Sequence, residues 1–74
     1  MFNLAIGQEL EFIEPAHIEE RVIPKGTRVR VGTIVSELLD EPNVTLVVLG
    51  KDPTEVLTVP RHVVTLNCRE VKEH

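Results

Sequence analysis

A chain of 74 residues is one domain, and at that size it buries only about 60% of the surface its unfolded form exposes. Its formal charge of −4 removes bulk attraction to nucleic-acid phosphate, and its single cysteine rules out an internal disulfide. No stretch approaches the roughly 18 consecutive apolar residues that a membrane span requires.

Roughly a third of the residues are Val, Ile or Thr, the β-branched types that suit a pleated strand. Phe2 and Phe12 are the only aromatics, so the core has to be built from aliphatic side chains. Residues 1–74 are therefore expected to form one small all-β domain, with 1–7 as an N-terminal arm or short strand and 72–74 as a frayed tail. The first clear strand is expected from Gln8 to Glu14, with Leu10 and Phe12 on one face and Glu9, Glu11 and Ile13 on the other. Residues Phe2 to Ile6 before it read as a short extra strand or an arm. Pro15 to Pro24 reads as an irregular loop with at most a turn of helix, in which Ile18 and Val22 would stack.

Thr27 to Leu38 is the strongest strand signal, with Val29 and Val31 alternating with Arg28 and Arg30. Gly32 interrupts the period and predicts a bulge or bend. A turn is expected over Leu39 to Asn43. Asn43 to Gly50 follows as a strand with both faces partly covered. After a turn at Gly50 to Pro53, Glu55 to Val59 forms a fourth strand, stopped by Pro60. The last strand is expected from about Val64 to Val71.

The run Leu57 to Leu66, with Pro60 at its centre, resembles the closing segment of Src-homology-3 domains. In that family a strand reaches a proline, makes one tight 3-10 turn and re-emerges as the last strand. Lys25 to Val31 is similar to the glycine-led strand that follows the long first loop there. The resemblance spans roughly residues 8 to 71 and implies a five-stranded Src-homology-3-like barrel with a short 3-10 turn before the last strand. The same features resemble type II dihydrofolate reductases, small barrels that assemble around an active pore. The working residues of neither family are present. Peptide-binding Src-homology-3 grooves are walled by tyrosine and tryptophan, which this chain lacks. Val56 to Val59 stands where the reductases carry Val-Gln-Ile-Tyr, without the glutamine or the tyrosine.

No residues gather in a catalytic pattern. His17, His62 and His74 lack a second ligand at metal spacing, so neither metal nor cofactor is expected. Cys68 reads as a small buried hydrophobe. Arg28 and Arg30 point the same way from one strand. They either form a stripe for an anion or RNA backbone, or face Glu9 and Glu11 across a strand pair; the negative net charge and the absence of stacking aromatics favour the second. Arg28, Arg30, Arg61 and His62 are the candidate interaction surface. The leading expectation is a non-enzymatic protein-binding or assembly module in the cytoplasm, acting on a protein partner or as a homo-oligomer. One alternative is an oligomeric enzyme or ligand-binding protein with its site where subunits meet. Another is an RNA-associated barrel using Arg28 and Arg30.

Overall fold

The alternation in Glu9–Phe12 becomes a strand, with Leu10 and Phe12 fully buried and Glu9 and Glu11 on the opposite face. The computed structural model describes residues 4–18, 20–35 and 43–72. In chain order their elements are β1 (Glu9–Phe12), β2 (Ala16–Ile18), β3 (Arg21–Ile23), β4 (Arg28–Val35), β5 (Asn43–Val48), β6 (Glu55–Pro60), α1 (Arg61–Asn67) and β7 (Cys68–Glu70). Strand predominates, so the all-β class read from composition is the class observed.

Five strands make one antiparallel sheet in the order β6-β5-β4-β1-β7, and β2 and β3 make a separate hairpin. The long strand β4 pairs with β1 through Glu9↔Arg30 and Glu11↔Arg28, and with β5 from Val29↔Val48 to Val35↔Asn43. Its register slips between Val31 and Thr33, which is the bulge expected at Gly32. A Cβ at Gly32 would lie 3.5 Å from the Thr45 carbonyl oxygen, an ordinary contact, so crowding is not what keeps a glycine there.

Gly26 is different. It sits at φ +91° and donates its N–H to the Phe12 carbonyl at 2.7 Å, a left-handed turn that a side chain would strain. Gly50 (φ +79°) turns the chain between β5 and β6. The inner face of the sheet carries Leu10, Phe12, Val29, Val31, Val44, Leu46, Leu57 and Val59. Ala16 and Ile23 of the hairpin, Val64 of α1 and Cys68 of β7 pack against it.

Several expectations are corrected. Pro15 to Pro24 is neither loop nor helical turn but the β2–β3 hairpin, with Ala16↔Ile23, His17↔Val22 and Ile18↔Arg21 in register. Period two wins here because it buries Ala16 and Ile23 together, whereas a helix would have stacked Ile18 on Val22. The sheet is not closed into a barrel, which overturns the resemblance to Src-homology-3 and type II dihydrofolate reductase barrels. Closure requires the outer strands to meet, and β6 and β7 lie at opposite ends of the strand order.

The connection between them is the reason. Instead of a 3-10 turn followed by a strand from Val64, residues Arg61–Asn67 coil into an α-helix, and β7 is reduced to Cys68–Glu70. At about 1.5 Å per residue the helix carries the chain from one sheet edge toward the other without pairing. Its one fully buried anchor is Val64, whose carbonyl accepts the Cys68 N–H. Leu66 shares parity with Cys68, but on the helix it is 67% exposed.

At the N-terminus, Leu4 to Ile6 form no strand, and Phe2 lies outside the described residues. So do residues 36–38 of the strand expected through Leu38, most of the turn at 39–43, and 73–74 of the tail.

Candidate binding cleft at the sheet edge

The charged outer face of the sheet follows from strand parity. Arg28 and Arg30 leave β4 away from the core and both reach Glu9 of β1. Arg28 Nη1 donates to Glu9 Oε2 at 3.2 Å, and Arg30 Nη2 lies 3.8 Å from Glu9 Oε1. Arg69 of β7 closes on Glu11 Oε1 at 2.6 Å, and Gln8 Nε2 donates to Glu70 at 2.6 Å. The face is thus a ladder of opposite charges across β4, β1 and β7. Each exposed contact stabilises by a few tenths of a kcal/mol, on the order of ~0.2–1.

The four residues picked from the sequence do not make one surface. Arg28 and Arg30 are on β4, while Arg61 and His62 open α1 beyond β6, with β5 in between. Of the four, only His62 lines the principal cleft.

That cleft, of about 620 Å³, runs along β6. Val56 to Pro60 form one wall, and His17, Ile18, Arg21 and Ile23 of the hairpin form the other. His62 and Val63 of α1 bound the end where β6 stops. At the opposite end Arg21 Nη2 meets Glu55 Oε2 at 3.0 Å, and Lys51 Nζ lies 3.9 Å from the same oxygen, so an ion-pair cluster ties the hairpin to the start of β6.

Among the described residues β6 pairs only with β5, which leaves its second edge facing the cleft. Six residues of strand extend about 20 Å, and alternate residues turn N–H and C=O groups toward that free side. The hairpin side of this cleft was missed in the sequence because residues 15–24 were read without a strand period. The usable signal was the β-branched set Ile18, Val22 and Ile23 between two prolines.

Among the described residues no three His, Cys, Asp or Glu side chains gather closely enough to hold a metal ion. Cys68 is buried, and burial pushes its thiol from the ordinary 9.0 up to about 12, so the nucleophilic thiolate is suppressed. Two outcomes are expected. Native protein at pH 8 should resist iodoacetamide and react once unfolded in guanidinium. Because the folded thiol holds its proton more tightly than the unfolded one, this contribution to stability is constant below pH 9 and falls as pH rises from 9 toward 12. Chemical denaturation at stepped pH, with Cys68→Ala as reference, checks the second; an unchanged slope in that variant would rule it out.

Compared with known proteins, the chain matches no protein family, no curated protein and no solved structure. Among the described residues no helix is long and apolar enough to cross a membrane.

Proposed function

We propose that the chain is a non-enzymatic protein-binding and assembly module that works by accepting an extended segment along the free edge of β6. The supporting observation is the contrast between the two edges of the sheet. β7 is only three residues long and carries Arg69 and Glu70, two of the devices that blunt a strand edge. β6 is six residues long, and its charged residue and its proline, Glu55 and Pro60, sit at its two ends, which leaves Val56 to Val59 uncharged between them. Its free edge lies in a cleft lined by both aliphatic and polar side chains, and an open strand edge of this kind takes a strand from a partner by main-chain hydrogen bonding. Without a partner, the same edge pairs antiparallel with its counterpart in a second copy. Arg28 and Arg30 are already engaged by Glu9, which favours this reading over an RNA-binding one.

The test places lysine on the edge. Val56 and Thr58 are both exposed, so Val56→Lys with Thr58→Lys leaves the core intact while opposing strand addition. Wild-type protein is expected to form dimers at micromolar concentration in light scattering, and the double variant to be monomeric with an unchanged circular-dichroism spectrum. A wild-type monomer, or a variant that still dimerises, would reject the proposal.

A further inference from the structure

We infer that the occupant of the β6 edge is β6 of a second copy, paired antiparallel about a two-fold axis at Thr58. This rests on the reading of β6 as the working edge, and adds to it the partner and the register. What the edge offers follows from its neighbours. Leu49 N–H donates to the Arg28 carbonyl at 2.9 Å, and these two continue the register of Val29↔Val48 and Arg30↔Val47. Hydrogen-bonded pairs alternate along an antiparallel ladder, so Val47 turns its main-chain groups to β4, and Leu46 and Val48 turn theirs to β6. Their partners Leu57 and Glu55 are thereby engaged. Pro60 agrees, because without an N–H it cannot form a hydrogen-bonded pair with Asn43. The free edge therefore offers N–H and C=O from Val56 and Thr58, and C=O alone from Pro60.

Faces limit the register. Residues directly opposite each other share a face, so a strand that continues the sheet must set inner residues against the inner pair Leu57 and Val59. A second copy does this about an axis at Leu57 or at Thr58. Main-chain bonding serves both, and the side chains choose. About Thr58, Leu57 meets Val59 of the second copy, Val56 meets its Pro60, and Thr58 meets Thr58. The outer-face row Thr33↔Thr45↔Thr58 then runs on into the same row of the other copy. About Leu57, Glu55 falls opposite Val59, a carboxylate against an aliphatic side chain.

The ends of the edge match in the same register. Glu55 opens β6, and Arg61 follows its last residue. Arg21 and Lys51 both meet Glu55 Oε2, which leaves Oε1 to accept from a further donor. Among the described residues the exposed Arg61 side chain has no carboxylate partner. The axis at Thr58 sets Glu55 opposite Arg61 of the second copy, and symmetry repeats that pairing at the other end. An unrelated strand would need each of these partners in its own sequence, whereas a second copy carries them all on one self-complementary edge.

Single cysteines read the register, because a disulfide needs Cα atoms within about 7 Å of each other. Opposite residues of a hydrogen-bonded pair lie about 5.5 Å apart, and a slip of two residues puts them out of reach. In a glutathione redox buffer Thr58→Cys should form a covalent dimer about tenfold faster than Val56→Cys. Wild-type protein, whose Cys68 is buried, is the control. An equal mixture of the two variants, one carrying a size tag, should give the Thr58→Cys product in excess of the mixed one. Equal rates at the two positions, or an excess of the mixed product, overturns the inference, and a wild-type dimer in light scattering then keeps edge pairing standing. A wild-type monomer in light scattering overturns the reading of β6 and the inference with it.

Discussion

Phe12→Ala is expected to remove about 3–5 kcal/mol of stability, enough to leave a large fraction of the chain unfolded at room temperature. A domain of 74 residues has on the order of 4–11 kcal/mol in total. Phe12 is the only aromatic among the described residues and is completely buried. It is also where several connections meet. Its Cα partner on β7 is Cys68, its N–H donates to the Thr27 carbonyl at 2.9 Å, and its own carbonyl accepts from Gly26 at 2.7 Å. An alanine keeps those backbone bonds and removes the ring, leaving a cavity in a close-packed core that relaxes only partly to fill it. Urea denaturation followed by circular dichroism measures the loss. A cost below about 1 kcal/mol would show that the core closes over the gap and that Phe12 is not its pivot.

The second large effect is expected from Val64→Asp. A helix of seven residues is too short to persist in water by propensity alone, so α1 depends on what it buries. Val64 is its one buried residue, with Val63 partly buried beside it. An aspartate there would carry a charge into a core in which, among the described residues, no polar side chain is buried to receive it. Either the helix detaches, taking β7 from β1, or the domain unfolds. Hydrogen exchange separates the two: detachment exposes amides of residues 61–70 while β4 and β5 stay protected. Native-like protection of Val71 N–H, which donates to the Glu9 carbonyl, would contradict both.

Much of the sheet was legible before any coordinates. Alternation in β1 and in β4 up to Val31 separates the inner from the outer face, and Gly32 marks the bulge, because a half-buried strand leaves a period-two record in its residues; β5, apolar on both sides, carries no such record. The charge ladder was legible for the same reason, as Glu9 and Glu11 share a parity that faces Arg28 and Arg30. Two elements were misread where local patterns are ambiguous. Residues 16–23 are short enough to satisfy either period, and only burial of Ala16 against Ile23 decides between them. Residues 63–68 hold apolar positions compatible with both strand and helix, and the choice is made by Val64 reaching the core of a sheet that stays open. The cleft was illegible because it exists only where β6, the hairpin and α1 meet, and no sequence spacing records that meeting.

The unlike edges of the sheet set a limit on growth. An open sheet with two receptive edges is a repeating unit, able to add chains at both sides without end. In the proposed assembly the six-residue β6 edge accepts, whereas β7 is three residues long and carries Arg69 and Glu70. On that proposal two copies joined through β6 have only β7 left as an outer edge of the five-stranded sheet, and a partner strand on β6 has the same effect. Growth of that sheet would then stop at one added strand per domain, a coupling of fixed stoichiometry rather than a filament.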